Sequence, residues 1–302
     1  MRRKIPSTAA LVAFEAAARH QSFTKAAAEL SLTQSAVCRQ IAGLEDFLGV
    51  RLFRRTRQGV RLTEAGAAYG RQVAGRLDEV ERDTLSVMAH QGAGTAIELA
   101  VGPSFATQWL LPRLPGFLAD HPDTTVSMDT RTRPFLFADT GFDAAIQFGD
   151  AGWPGTQAHF LMREHVLPVC SPRLLVGRGK LTAMAIAQLP LLQQSTRPYA
   201  WRQWFAAQGM EVVHDMRGPR FELFSMLAQA AAHDMGVALI PPMLIADQLA
   251  VGQLVAASDR GHVSDKAYYL IQPDDMTESA AFRGFREWLC AEAAAYRAAS
   301  GL

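Results

Sequence analysis

Apolar residues recur at helical spacing near the amino end of the chain, in two short segments separated by Ser31-Leu32-Thr33. Ser22 and Thr33 are good N-cap residues, so each is predicted to begin a helix. Leu32 is expected to lie beneath the turn between the two helices. The residues predicted to be buried are Phe23, Ala26, Ala27 and Leu30 in the first helix and Ala36, Val37, Ile41, Leu44 and Leu48 in the second. This pattern predicts a helix-turn-helix.

A short basic segment with alternating apolar residues follows, over residues 51–62. Leu52, Val60 and Leu62 are placed to pack a small hairpin against the helices, and Gln58-Gly59 suits its turn. The segment therefore predicts a wing beside the helix-turn-helix.

From Thr63 to about Met88 the pattern predicts one long helix with an apolar stripe that includes Leu77, Val80 and Leu85. A lone helix of this length has nothing to bury that stripe against, so we expect it to pair with a second copy of the chain. Residues 90–95 contain two glycines and no periodic signal, which predicts a hinge.

Beyond the hinge, predicted strands and helices alternate, which is typical of an α/β domain with a largely parallel sheet. Two such sets predict two sublobes with a cleft between them. The predicted strands are Ile97–Val101, Thr125–Asp129, Ala144–Phe148, Val166–Val169, Leu191–Gln193, Gly236–Ile240 and Lys266–Ile271. The predicted helices are Phe105–Asp120, Arg133–Ala138, Trp201–Gln208, Phe221–Asp234, Pro242–Val251 and Ala280–Ala299.

The charge is unevenly distributed along the chain. Residues 1–62 contain eleven Lys and Arg against four Asp and Glu, a net charge of +7, whereas the whole chain carries only +1. Residues 63–302 therefore carry −6. A basic end of this kind is expected to neutralise phosphates, and its affinity for nucleic acid should depend strongly on salt.

The composition indicates a folded, cytoplasmic protein. Half of the residues are apolar, which excludes a disordered chain, and no apolar run approaches the roughly 20 residues that span a bilayer. The basic start lacks the apolar core of a signal peptide. Cys38, Cys170 and Cys290 are odd in number and lack metal-ligand spacing, so free thiols in a reducing compartment are expected.

Several polar residues of the second helix and the wing are candidates for contact with DNA. Gln34 and Arg39 can each make two hydrogen bonds to a base edge, and Ser35 can reach a base or a phosphate. An ordinary surface helix can carry any one of these side chains, but the whole set on a helix-turn-helix favours DNA binding. The predicted DNA-binding residues are Thr33, Gln34, Ser35, Arg39, Arg54, Arg55 and Arg57, the last three holding phosphates.

A ligand is expected where strands end at the predicted cleft. Gly102–Thr107 turns the first strand into a helix, whose free N–H groups could seat a carboxylate; Ser104 could equally serve only as a helix cap. Arg131, Arg133 and Arg197 are candidate counter-charges or ordinary surface residues. Tyr199, Trp201 and Phe221 could form apolar walls, with core packing favoured for each. The predicted effector-binding residues are Pro103, Ser104, Phe105, Thr107, Arg131, Thr132, Ser195, Thr196 and Phe221.

The sequence disfavours an enzyme. Ser104, His121 and Asp143 are residue types used in acyl transfer, but no Gly-x-Ser-x-Gly motif surrounds the serine. His121 lies between Asp120 and Pro122, as expected for the end of a helix. No metal, phosphate-loop or dinucleotide motif is present, so we expect no catalytic residue, no metal and no cofactor.

Residues 14–66 resemble the amino-terminal signature of LysR-type transcriptional regulators. The resemblance rests on Phe14-Glu15-Ala16-Ala17-Ala18, Ser22-Phe23-Thr24, Leu32-Thr33-Gln34-Ser35-Ala36-Val37, Leu44-Glu45, Leu52-Phe53 and Leu62-Thr63 with Ala65-Gly66. Cys38 departs from the serine usual in that family. A thiol is a poorer hydrogen-bond partner, and a redox role for it stays open.

The second half resembles the subgroup that contains glycine-cleavage and beta-lactamase regulators. The motifs are Asp143-Ala144-Ala145-Ile146, Pro168-Val169-Cys170-Ser171-Pro172 and Gly236-Val237-Ala238-Leu239-Ile240-Pro241. The resemblance implies an effector domain with the architecture of periplasmic solute-binding proteins, a dimerising linker helix, and tetramers that bend DNA across two sites.

These observations predict four parts: a winged helix-turn-helix over residues 1–62, a linker helix over 63–89, a hinge over 90–95 and a two-lobed α/β effector domain over 96–302. The expected function is transcriptional regulation through an inverted-repeat promoter site and a small-molecule effector, for which an anionic compound is one candidate class. The expected partners are double-stranded DNA, RNA polymerase and further copies of the chain. We do not expect the protein to bind a membrane. A rival hypothesis is a ligand-binding module whose basic end serves another protein or RNA.

Overall fold

The computed structural model describes residues 4–56, 59–90 and 95–301 of the chain. The chain divides into two compact units, Met1–Gly92 (the first unit) and Ala93–Leu302 (the second unit). Arg57, which was predicted to hold a phosphate, and Gln58 of the predicted turn lie outside the described residues, as does most of the predicted hinge.

The first unit opens with three helices, α1 (Thr8–His20), α2 (Phe23–Glu29) and α3 (Gln34–Leu48). Their N-cap side chains are Ser7, Ser22 and Thr33, and each accepts a hydrogen bond from a backbone N–H of the first turn. Val37, Ile41 and Leu44 are buried as predicted. The helix-turn-helix is therefore confirmed.

The predicted burial of Leu32 is wrong. Its side chain is 47 % exposed, because the turn is closed by the backbone, where the Leu32 N–H donates to the Ala27 carbonyl at 2.8 Å. The side chain is not needed to fill the space beneath the turn.

A two-stranded wing and a long helix complete the first unit. Strands β1 (Phe53–Thr56) and β2 (Gly59–Leu62) pair antiparallel. Helix α4 then runs over Glu64–His90. Val80, Leu85 and Met88 are exposed along it, so its apolar stripe is not covered within this chain at these positions.

The second unit is built on one mixed sheet. Its strands are β3 (Thr95–Val101), β4 (Thr124–Thr130), β5 (Ala144–Gly149), β6 (Thr156–Cys170), β7 (Leu191–Gln194), β8 (Arg220–Phe221), β9 (Val237–Ile240), β10 (Val255–Ala256) and β11 (His262–Pro273). They follow the order β4-β3-β5-β11-β6-β9-β7-β8, and β10 pairs with β6.

The prediction of a largely parallel sheet is wrong. β6 and β11 are the longest strands, they pair antiparallel with each other, and β11 also pairs antiparallel with β5. Sequence alternation detected only the most apolar part of each strand, because the remainder carries polar residues such as His159 and Asp265. Parallel pairing is confined to β4-β3-β5 and β8-β7-β9.

Most helices of this unit are shorter than predicted, whereas α8 and α11 are close to their predicted lengths. They are α5 (Pro103–Phe105), continued by a π-helical turn (Ala106–Leu110), α6 (Leu114–Asp120), α7 (Ala183–Ala187), α8 (Ala200–Ala207), α9 (Phe224–Ala232), α10 (Ala246–Ala250) and α11 (Ala280–Ser300). The helix predicted over Phe105–Asp120 is interrupted around Pro112, because proline lacks the N–H that a continuing helix needs. The predicted helix at Arg133–Ala138 is only a 3-10 turn at Phe137–Asp139, and Phe221 ends β8 rather than beginning α9.

Two lobes share β6 and β11. Leu161 and Met162 of β6 belong to the core of the first lobe, together with β3, β5 and α11. Val169 of the same strand belongs to the core of the second lobe, with β9 and α9. Pairing of β11 with β6 shifts in register between Val263 and Ala267. The predicted two-lobed α/β unit is therefore confirmed, with a strand crossover that joins the lobes.

None of the helices, as far as the described residues extend, has the length and apolarity to cross a bilayer.

Candidate nucleic-acid and effector-binding sites

The amino-terminal half of α3 presents polar side chains to solvent. Thr33, Gln34, Ser35 and Arg39 are all exposed, and the Thr33 hydroxyl both caps the Ala36 N–H at 3.2 Å and lies 3.0 Å from the Ser35 hydroxyl. The arrangement leaves Gln34 and Arg39 available for a base edge. Cys38 beside them is half-buried.

The wing brings two arginines face to face. Arg54 of β1 pairs directly with Arg61 of β2, and both side chains are exposed. Among the described residues, neither guanidinium has a carboxylate partner. Like charges at directly opposed strand positions repel, so this pair is best satisfied by an external anion such as a phosphate. Sequence reasoning did not select Arg61, although the hairpin register could have. The Arg55 side chain, which was also predicted to hold a phosphate, lies outside the part of the chain that the structure describes.

A buried carboxylate holds the wing against α3. Glu45 accepts hydrogen bonds from the N–H groups of Leu52 (2.7 Å) and Phe53 (3.0 Å), and from the Arg51 guanidinium at 2.7 Å. Burial by itself would raise the pKa of Glu45, but these three donors outweigh burial and lower it. Glu45 therefore helps to position the wing relative to the exposed face of α3, together with the apolar packing of Leu52 against Leu44.

The start of α4 packs tightly on the start of the wing. The Thr63 hydroxyl donates to the Arg51 carbonyl at 2.8 Å and accepts from the Gly66 N–H at 3.0 Å. A Cβ at position 66 would overlap the Leu52 carbonyl oxygen and lie 2.9 Å from its carbon. Only glycine permits this approach.

A cleft of about 480 Å³ lies between the two lobes of the second unit. A smaller cavity of about 70 Å³ adjoins it and shares residues such as Thr132, Phe148 and Arg197; we call it the deep end of the cleft. Of the predicted effector-binding residues, those that line the cleft or its deep end are Pro103, Ser104, Phe105, Arg131, Thr132, Ser195 and Thr196.

Two predicted effector-binding residues lie elsewhere. The Thr107 hydroxyl donates to the Pro103 carbonyl of its own helical turn at 3.0 Å. Phe221 packs against the core of the second lobe and borders a separate shallow depression.

A buried ion pair forms part of the cleft wall. Glu164 is 2 % exposed and accepts from the Arg197 guanidinium at 3.0 and 2.9 Å and from the Tyr268 hydroxyl at 2.7 Å. The same guanidinium lies 3.5 Å from the centroid of the Phe148 ring. Burial alone would lower the pKa of Arg197, but the adjacent Glu164 raises it; burial raises the pKa of Tyr268. Sequence reasoning missed Glu164 because it lies on a part of β6 that was not predicted as strand. Tyr268 lies within the predicted strand Lys266–Ile271, but the partners of its side chain could not be inferred from that strand alone.

One hydrogen bond spans the lobes at the cleft surface. The Thr132 hydroxyl, after β4, donates to the Glu222 carboxylate, after β8, at 2.9 Å. Arg133 lines the cleft nearby and is exposed. The cleft surface therefore offers both a charged side chain and a breakable contact between lobes.

The residues considered for acyl transfer have structural partners. A ring nitrogen of His121 lies 3.0 Å from the Phe117 carbonyl, and the Asp143 carboxylate accepts from the Glu98 N–H at 2.8 Å. Within the ranges described, no group of three or more His, Cys, Asp or Glu residues is arranged to hold a metal ion. All three cysteines are free thiols.

Comparison with known proteins matches two parts of the chain to described families. Residues 8–67 match the family described as bacterial regulatory helix-turn-helix protein, lysR family, and residues 90–294 match the LysR substrate binding domain. The glycine cleavage system transcriptional activator of Escherichia coli K12 is 37 % identical over 98 % of this chain and 96 % of its own length.

Solved structures agree with the fold. The effector domain of the transcriptional regulator AmpR of Pseudomonas aeruginosa is 28 % identical, with a TM-score of 0.63 over 68 % of this chain and 100 % of that one. Full-length CbnR, solved in complex with its target DNA, is 20 % identical, with a TM-score of 0.72 over 94 % of this chain and 98 % of that one. At that identity the likeness concerns the fold alone.

Proposed function

The chain belongs to the LysR family of bacterial transcriptional regulators, and we propose on this premise how its parts divide the work. Residues 1–62 bind DNA, residues 63–89 pair two copies, residues 90–95 form a hinge and residues 96–302 bind the effector. The protein is a DNA-binding regulator, not an enzyme. We place its action in the cytoplasm, with RNA polymerase as a partner at the promoter.

The observation that carries the DNA-binding assignment is the free basic surface beside α3. Gln34, Ser35 and Arg39 are exposed on one helix, and Arg54 opposes Arg61 on a wing that Glu45 holds to that helix. In this proposal Gln34, Ser35 and Arg39 read base edges in the major groove, Thr33 supports them, and Arg54, Arg55, Arg57 and Arg61 contact phosphates.

Replacing Arg39 by alanine is expected to reduce discrimination between the operator and random DNA by about 1–3 kcal/mol, because a bidentate base contact is lost. The measurement is a gel-shift or anisotropy titration of both DNAs, with the intergenic DNA upstream of the gene as operator source. Arg178→Ala, an exposed arginine of the second unit, is the matched control. An unchanged ratio of the two affinities in Arg39→Ala would remove Arg39 from the base-reading set.

Arg54→Ala and Arg61→Ala are expected to weaken operator and random DNA alike. Each should lower the slope of log K against log salt by about one, because one phosphate contact is removed. Affinities measured across a salt series test this expectation. A slope equal to that of the unsubstituted protein would show that the opposed arginines do not hold phosphates.

The same titrations separate the favoured function from its rival. If the basic end served RNA or another protein, a duplex RNA competitor would displace operator DNA at equal concentration, or no operator would be protected in footprints. We expect protection of an inverted repeat, with one half-site for each α3 of a dimer.

The exposed apolar residues of α4 support a proposal for the oligomeric state. Val80, Leu85 and Met88 are exposed on this helix, and pairing with a second copy would bury them. We propose a dimer through α4 and a dimer of dimers on DNA. Light scattering and sedimentation, with Leu85→Glu as the test variant, measure both steps.

The effector is a small molecule bound between the lobes of the second unit. Ser104, Thr132, Ser195 and Thr196 contribute hydroxyl groups to the cleft, while Arg131 and Arg133 are placed to meet an anionic group. Binding alters the lobes by shifting a pre-existing equilibrium, since a ligand acts only through unequal affinity for two states. Loss of the Thr132–Glu222 contact is one difference between such states.

A further inference from the structure

The deep end of the cleft is a small, mostly apolar chamber. Its volume is about 70 Å³, which suits a group of a few non-hydrogen atoms rather than a whole metabolite. Phe105, Ile146 and Phe224 line it together with the Ser104 hydroxyl, on a residue that is itself buried.

Two neighbouring glutamines at the end of β7 have opposite roles. The Gln193 amide nitrogen donates to the carbonyls of Asp215 (3.1 Å) and Arg217 (2.9 Å), so this side chain supports the second lobe. Gln194 follows it, and alternation along the strand turns its side chain to the other face, where it lines the deep end.

The carboxamide oxygen of Gln194 is buried without a hydrogen-bond partner in the described part of the chain. The residue is only 5 % exposed. A buried acceptor left unpaired costs free energy that a donor would recover, so a ligand N–H or O–H group that reaches this atom would be stabilised.

The buried arginine of the deep end, Arg197, is already neutralised. Glu164 and Arg197 pair with each other through two hydrogen bonds, and the Tyr268 hydroxyl donates a third hydrogen bond to the same carboxylate. Arg131 and Glu222 also border this end, but their hydrogen bonds lie at the solvent-exposed surface. A carboxylate placed against the Gln194 oxygen has no proton to donate, and an ammonium group would find the buried carboxylate Glu164 already paired.

Resting on the proposed effector function of this cleft, we propose that the deep end receives a neutral hydrogen-bond donor of the effector, with a primary carboxamide as the best fit. Its N–H donates to the Gln194 oxygen, and its carbonyl accepts from the Ser104 hydroxyl. Any anionic group of the same effector lies in the outer cleft, towards Arg133. The effector is thus neutral and polar at one end.

Three isosteric probes test the proposal: acetamide, acetate and acetone, which differ only in one terminal group. Saturation-transfer NMR on the full-length protein follows the methyl signal of each. We expect saturable transfer to acetamide, with an affinity about fivefold or more above that of the other two probes. Gln194→Met keeps the side-chain length and removes the acceptor, and should abolish the preference.

Gln203→Met is the matched control, because Gln203 lines the outer part of the cleft rather than the deep end; it should retain the preference for acetamide. Equal affinities of the three probes in the unsubstituted protein, or an acetamide preference that survives Gln194→Met, overturn the proposal. The unsubstituted protein provides this test even if the variant folds poorly. Failure here leaves operator binding intact, whereas failure of the proposed function appears in the DNA titrations.

Discussion

Replacing Glu164 by glutamine is expected to destabilise the second unit by roughly 3–5 kcal/mol, because it leaves the buried Arg197 guanidinium without its counter-charge. The two hydrogen bonds from Arg197 and the one from Tyr268 converge on this carboxylate. A neutral amide cannot accept all three and compensate the charge. Urea unfolding followed by intrinsic fluorescence measures the loss.

Two further variants isolate the cause. Asp259→Asn breaks the exposed pair with Lys180 in the same unit and should cost less than about 1 kcal/mol, as is usual for pairs in solvent. Glu164→Met with Arg197→Met removes both charges and should recover a large part of the loss. A double variant as unstable as Glu164→Gln would show that packing, and not the unpaired charge, dominates.

Gly66→Ala is expected to destabilise the first unit by about 2–4 kcal/mol, a large case of overpacking. The added Cβ would overlap the Leu52 carbonyl oxygen, which accepts from the Thr63 N–H at 2.9 Å. Helix α4 would have to move away from the wing, which weakens the placement of Arg54 and Arg61 on DNA. Equilibrium unfolding and operator titration of the full chain measure both effects.

Gly75→Ala supplies a control of opposite sign in the same helix. Nothing lies within 4 Å of a Cβ at position 75, so this change should stabilise the protein by about 0.5–1 kcal/mol through helix propensity. If Gly66→Ala were as stable as Gly75→Ala, the close packing of α4 on Leu52 would not hold in solution.

The helix-turn-helix could be predicted from the sequence because its signals are local. Ser22 and Thr33 cap their helices through bonds to residues three positions later, and apolar spacing selects Val37, Ile41 and Leu44 for the core. The exposed positions of Gln34 and Arg39 follow from the same periodicity. The exposure of Leu32 could not be predicted in this way, since it depends on how the backbone closes the turn.

The cleft was only partly predictable. Ser104 and Thr196 follow strands directly, so their place at a sheet edge could be inferred from position alone. Glu164 and Tyr268 lie within strands. Glu164 meets Arg197, 33 positions away in the chain, and Tyr268, 104 positions away. Whether Gln193 or Gln194 faces the cleft depends on the register of the strand. Because both residues are glutamine, the sequence pattern does not distinguish them.

By itself, the sequence determined the helix caps, the apolar faces, the segregation of basic charge to residues 1–62 and the alternation that specifies an α/β unit, because each depends on residues close together in the chain. Only the tertiary structure decided that the sheet is mixed, that Gly66 must lack a side chain and that Glu164 neutralises Arg197. These features arise when strands pair and helices pack, since long-range contacts bring together groups whose separation along the chain carries no local signal.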